Sequence, residues 1–223
     1  MGISTFEIWN TGIRLCESGR DVEVLCNTLA SETLVGVDTE TTGCNPKKES
    51  PIGRARVWSL QLAGNGWAAF VPAQLLHTPA LVQWLEGPAP KCGSNILNYD
   101  LHALHNEGIR LAGVKYDTWL MSKLLEPSEL FKHDLKSWGK RMGYHTRAYE
   151  DIASVRKAGK EVTRKRDGVS YTNVLKGHRI ESLDVLWELY PQRRQQIVEY
   201  ACLDAVMSRD VALYLCRQLG GSV

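Results

Sequence analysis

The sequence predicts one α/β domain whose sheet opens with an antiparallel meander. Three observations carry this reading. Over residues 34–43 an apolar run, Leu34-Val35-Gly36-Val37, ends abruptly in Asp38-Thr39-Glu40, the pattern of a buried strand whose last residues emerge at a sheet rim. Two more strand-like runs, 57–63 and 67–71, flank Gly64-Asn65-Gly66, a hairpin turn. Beyond them short apolar runs alternate with helical patterns as far as Gly143, as parallel strands joined by helices require. A chain of 223 residues suits one such domain, 1–223, and buries a core without disulfide or metal staples.

The elements follow in order. Residues 21–30 place Val22, Val24, Leu25 and Leu29 on one helical face, with Asp21 positioned as N-cap. The strand at 34–43 follows, then a Pro- and Lys-containing loop at 45–54 and the hairpin. Thr78-Pro79 supplies an N-cap and a first-turn proline for a helix through Trp84 and Leu85 that stops at Gly87-Pro88. Residues 91–97 read as a short strand, and Asn98-Tyr99-Asp100 heads a helix that ends near Gly108. Residues 114–116 form another strand and 117–125 a helix closed by Pro127, while His133 opens a further helix capped by Gly143. There the alternation stops. A basic insertion at about 147–180 carries Arg156, Lys157, Lys160, Arg164, Lys165, Arg166, Lys176 and Arg179, which outnumber its acids. The last helix runs from Pro191 to about Leu219, where Gly220-Gly221 ends it; Ala201, Leu203, Val206 and Val211 dock it on the sheet.

Composition excludes several function classes. Cys16, Cys26, Cys44, Cys92, Cys202 and Cys216 lie far apart without a Cys-x-x-Cys pair, which argues against a zinc site or redox motif and for reduced, buried thiols. No stretch reaches the apolar length of a membrane span, and the N-terminus lacks the plan of a secretory signal, so a cytoplasmic, non-secreted protein without a membrane partner is expected. A net charge of +2 gives no argument for a polyanionic partner; only its local distribution can.

The chemistry lies in the acids. Asp38 and Glu40 are two apart, so in an extended strand both carboxylates point to one face. Two like charges ~4 Å apart repel by roughly 4 kcal/mol at an effective dielectric of 20, and a fold that keeps both ionised supplies a cation. Oxygen-only ligands suit hard divalent ions, Mg²⁺ or Mn²⁺. Asp100, at a strand-to-helix junction, stands on the same kind of rim. Tyr200 and Asp204 are one helical step apart and share a face. Alone, Asp38-Thr39-Glu40 also reads as a polar turn and Asp204 as an exposed helix acid; their company favours a site.

Taken together, Val37-Asp38-Thr39-Glu40-Thr41-Thr42-Gly43, the segment from Asn95 to Asp100, and Tyr200-Ala201-Cys202-Leu203-Asp204 resemble the three motifs of the DEDD superfamily of 3′-5′ exonucleases, in its tyrosine-containing branch. Asp117-Thr118-Trp119-Leu120 and His133-Asp134-Leu135-Lys136-Ser137-Trp138 are similar to the proofreading exonuclease domains of family A DNA polymerases. The sequence departs from the pattern in two places: Asn95 lies one residue further from Asp100 than is usual, and Cys44 stands where a leucine commonly wedges against the terminal base.

The resemblance implies a ribonuclease-H-like mixed sheet, antiparallel in its first strands and then parallel, with helices on both faces. It implies two divalent metal ions, with Asp38 bridging them, Glu40 and Asp204 on the ion that activates water, Asp100 on the second, and Tyr200 orienting the attacking water. With an ordinary pKa near 10, a tyrosine positions water better than it deprotonates it. Thr39, Asn95 and Tyr99 are the implied substrate contacts, although Tyr99 equally reads as a staple onto the core. Arg164 and Arg166 sit in a basic run that is either a solvated insertion or a flap for the phosphates of single-stranded nucleic acid. The implied reaction removes nucleoside 5′-monophosphates from DNA 3′ ends, by a stand-alone protein, by one acting in trans beside a DNA polymerase, or by a fragment of a longer protein. The alternatives are an exoribonuclease similar to ribonuclease D and a non-catalytic nucleic-acid-binding module. Trp58, Trp84, Trp119, Trp138 and Trp187 are read as core, and His133 as a helix-start residue rather than a ligand.

Overall fold

A computed structural model describes the chain apart from residues 1–4, 9–10, 44–48, 129, 146–151, 153, 157–159, 167–168, 176–177, 181 and 222–223. For residues 5–8, 154–156, 160–166, 169–175 and 178–180 it gives the backbone alone. The chain divides into two compact units, Met1–Thr146 with Val198–Val223, and Arg147–Ile197.

The first unit is built on a seven-stranded sheet. Its strands are β1 (Thr5–Ile8), β2 (Thr11–Leu15), β3 (Val35–Thr42), β4 (Arg56–Gly64), β5 (Trp67–Pro72), β6 (Lys91–Gly93) and β7 (Val114–Asp117), in the order β1-β2-β5-β4-β3-β6-β7. Strands β3, β4 and β5 are antiparallel, and β6 and β7 continue the sheet in parallel. This is the predicted mixed sheet. The hairpin of β1 and β2, with β2 parallel to β5, extends it beyond what the sequence pattern indicated. Strand β6 stops earlier than residue 97 because the backbone turns over at Asn95, whose φ is +58°.

Helices cover both faces. Alternation along β3 puts Val35 and Val37 in one buried cluster with Val22, Leu25 and Leu29 of α1 (Gly19–Leu29), Leu81 and Leu85 of α2 (Pro79–Glu86), and Ala103 and Leu104 of α3 (Asp100–Asn106). Each fully buried leucine contributes roughly 2 kcal/mol. Gly36 looks the other way, and its lack of a side chain is what admits a helix there: a Cβ would lie 2.2 Å from the Ala205 carbonyl oxygen. On that face Leu34, Cys92 and Ala212 form one buried cluster, and Met121, Trp138, Val211, Leu215 and Cys216 another. They join the sheet to α4 (Thr118–Leu125), α5 (Leu135–Arg141) and the long C-terminal helix.

Two helix N-termini differ from the sequence expectation. Ser18 rather than Asp21 caps α1; Asp21 closes a capping box from the third helical position, an arrangement worth about 1 kcal/mol. The Thr78 hydroxyl turns back to the Leu75 carbonyl at 2.8 Å instead of capping α2. Of the five tryptophans read as core only Trp138 is buried. Trp84, Trp119 and Trp187 are half-buried with Lys91, Lys123 and Arg194 over their rings. No described helix is long and apolar enough to cross a membrane.

The second unit holds the basic segment, which pairs into strands. Strands β9 (Lys160–Arg166) and β10 (Val169–Leu175) form one antiparallel ladder, and β8 (Ser154–Arg156) and β11 (His178–Ile180) another. Arg164 and Arg166 lie on β9 opposite Tyr171 and Val169. Helix α6 (Leu183–Leu189) and a 3₁₀ turn at Pro191–Arg193 lead into α7 (Arg194–Gln218). The last helix therefore starts three residues later than its proline suggested.

Candidate active site

The site forms where β3 runs out beneath α7. Asp38 and Glu40 share the Gly36 face of β3, the face that α7 approaches most closely at Ala205. Asp204 precedes that contact residue and Tyr200 lies one turn earlier. Carboxylate oxygens of Asp38, Glu40 and Asp204 all come within 4.8 Å of one another. Opposite Asp38 and Glu40 on β4 stand Gln61 and Ser59, both fully buried. The Gln61 amide donates to the Ser59 hydroxyl at 2.8 Å, so the floor beneath the acids is polar. Pairing shifts register just after Glu40, which ends the regular strand at the acids.

Asp100 falls outside that trio and is held at the head of α3. It is only 3% exposed, and the hydroxyl of buried Thr39 donates to it at 2.6 Å. Thr39 therefore supports an acid. The loop leading into Asp100 is fixed by Asp117, which accepts from the backbone N–H groups of Asn95 and Leu97 at 3.1 and 3.2 Å. The same carboxylate caps α4 through Trp119 and Leu120 at 3.0 and 3.3 Å. The Asn95 side-chain oxygen accepts from Asn98 at 3.0 Å, which ties it into this loop. Tyr99 packs against the core and its hydroxyl bonds to that of Thr41, in keeping with the staple reading. Asp117 was read only as a helix start; its second duty links segments 20 and more residues apart, a distance local pattern does not span.

Crowding and burial together oppose ionisation. Burial, then Asp100, Asp204 and Glu40, push the Asp38 carboxyl well above the carboxylate range. Burial and Asp204 push Glu40 up to about 8. Burial raises Asp100 to about 7 against the pull of the Thr39 hydrogen bond, and Asp204 to about 6. Oxygen donors this close that resist ionising on their own suit a hard divalent cation. Lys136 opposes the trend at Asp38, Glu40 and Asp204, and its ammonium donates to the Tyr200 hydroxyl at 3.2 Å. Sequence reading passed over Lys136, because a lysine in the first turn of a helix usually reads as solvated surface. His133 lies outside the trio and bonds instead to the Ser122 hydroxyl at 2.8 Å. Cys44 lies outside the described residues. Of the remaining cysteines, Cys16, Cys92, Cys202 and Cys216 are buried and free.

No protein-family model matches the chain. A DNA polymerase I of Pseudomonas aeruginosa is 32% identical over 152 residues, 60% of this chain and 16% of the polymerase. The chain thus spans about a sixth of the length of that curated relative. Among solved structures, the POL domain of Pol1 from M. smegmatis, in complex with DNA primer-template and dNTP, superimposes with a TM-score of 0.62 at 16% identity, covering 92% of this chain and 27% of that one. Escherichia coli RNase D, an exoribonuclease involved in structured RNA processing, superimposes with a TM-score of 0.60 at 13% identity, covering 92% of this chain and 44% of that one. The chain is thus similar in sequence to part of a DNA polymerase I and shares its fold with polymerase I and ribonuclease D structures.

Proposed function

We propose that the chain is a divalent-metal-dependent 3′-5′ exonuclease that releases nucleoside 5′-monophosphates from DNA 3′ ends. The observation that carries this reading is the convergence of Asp38, Glu40 and Asp204 within 4.8 Å. Asp38, Glu40 and Asp204 would hold one ion and Asp38 with Asp100 a second, Mg²⁺ or Mn²⁺ by the chemistry of an all-oxygen donor set. Ions bound there supply the positive charge that an in-line phosphodiester displacement needs on its attacking and leaving oxygens.

The chain's own residues do the rest. Thr39 holds Asp100 in place through its hydroxyl, and Asp117 fixes the loop that delivers it. Tyr200 positions the attacking water by hydrogen bonding. Asn95, which follows β6, and Tyr99, whose hydroxyl bonds to Thr41 of β3, are candidate substrate contacts, and Arg164 and Arg166 are candidates for holding phosphates. The partner in this reading is a single-stranded DNA 3′ end.

A ribonuclease D-like exoribonuclease is the second reading. Fold likeness does not separate the two, since the TM-scores are 0.62 and 0.60. The sequence match to a DNA polymerase I, 32% over 152 residues, supports the DNA reading. Parallel digestion of DNA and RNA oligonucleotides of one sequence tests the choice: faster shortening of DNA is expected, and faster shortening of RNA would transfer the assignment.

A further inference from the structure

We propose that Lys136 is a positioning residue of this site, holding the Tyr200 hydroxyl by its oxygen. The inference rests on the exonuclease reading above. An ammonium carries hydrogen-bond donors and no acceptor, so in the 3.2 Å contact the Tyr200 oxygen must accept. With one lone pair engaged by Lys136, the phenol's own hydrogen is directed to another acceptor, and the hydroxyl meets water in a defined orientation. The lysine nitrogen lies 5.2 Å from the centre of the Tyr200 ring, so it steadies the ring as well as its hydroxyl.

Lysine is a flexible point charge, and this one is placed by its helix. Asp134 caps α5 by accepting from the Ser137 N–H at 2.9 Å. The buried Trp138 indole donates to Ser122 of α4 at 2.7 Å, and Ser122 also bonds His133 at 2.8 Å. Three side chains on or beside α5 are thereby anchored around Lys136.

Two readouts test this with Lys136→Met, Lys136→Arg, Tyr200→Phe and the Lys136→Met/Tyr200→Phe pair, each checked for cooperative unfolding. In single-turnover hydrolysis of single-stranded DNA, Lys136→Met lowers kcat about tenfold with KM within about twofold, and adds little to the loss already caused by Tyr200→Phe. Lys136→Arg restores part of the rate. Without DNA, the same cycle in denaturant unfolding shows Lys136→Met and Tyr200→Phe to be non-additive, and Lys136→Arg keeps part of the coupling. Multiplicative losses of rate in the double variant, or additive free energies in the unfolding cycle, would overturn the proposal. Should wild type not hydrolyse DNA at all, the exonuclease reading falls, and the unfolding cycle alone decides whether Lys136 holds Tyr200.

Discussion

Replacing Glu40 with glutamine separates the charge of the trio from its shape. Burial and Asp204 raise the Glu40 carboxyl from the usual 4.5 to about 8. Between those values the folded chain binds more protons than the unfolded one, so this carboxyl lowers stability progressively as pH rises from about 4.5 to about 8, and costs nothing below. At 1.36 kcal/mol per pKa unit, full ionisation costs on the order of 5 kcal/mol; partial access of water to the side chain reduces this to about 1–2 kcal/mol. In EDTA at pH 8.5, Glu40→Gln should therefore raise Tm by about 3–6 °C, and at pH 4.5 leave it within about 1 °C. Thermal unfolding by circular dichroism at the two pH values is the assay. The same variant should lose DNA hydrolysis by about a thousandfold or more, because a ligand for transition-state charge is gone. A variant less stable than wild type at pH 8.5, or equally stabilised at both pH values, would refute the view that the site stores unfavourable charge.

Three further outcomes follow from named contacts. Asp117→Ala removes the acceptor for the Asn95, Leu97, Trp119 and Leu120 N–H groups; it should cost about 2–3 kcal/mol in denaturant unfolding and slow hydrolysis by displacing Asp100. Gly36→Ala puts a carbon 2.2 Å from the Ala205 carbonyl oxygen and should cost about 2 kcal/mol and about tenfold in kcat by shifting α7. Gly12→Ala, whose added carbon meets nothing nearer than 4.0 Å, is the control and should leave kcat within about twofold. Arg164→Ala with Arg166→Ala should raise KM more than it lowers kcat, with the difference shrinking as salt rises; an unchanged KM at low and high salt would remove these arginines from the substrate path.

The site was legible where chemistry is written locally. Asp38 and Glu40 end an apolar strand, and Tyr200 and Asp204 are separated by one helical turn, so periods of 2 and 3.6 put each pair on one face, while the meeting of the two pairs is tertiary. Lys136 and Asp117 escaped because their partners are distant in sequence: the lysine meets Tyr200 64 residues later, and Asp117 meets Asn95 22 residues earlier. Thr39 was visible but its role was not, since its neighbour Asp100 is 61 residues away. In the fold, the antiparallel meander and the later parallel strands followed from hairpin chemistry and strand-helix alternation. The β-ladders of the basic segment were hidden because strongly charged sequence such as Lys160–Arg166 lacks the apolar alternation by which strands are recognised. Strand β6 was overextended because Ile96 is fully buried and reads like strand interior, while only the backbone reveals the left-handed turn at Asn95.

The most direct test of the account is digestion of a 5′-labelled single-stranded DNA by wild type and Asp38→Ala with Mg²⁺, with Mn²⁺ and with EDTA. The account predicts a ladder shortening from the 3′ end with either metal, abolished by EDTA and by Asp38→Ala. Absence of cleavage by folded wild type that still binds the DNA would mean a binding module, and cleavage insensitive to Asp38→Ala would mean that the chemistry lies elsewhere in the chain.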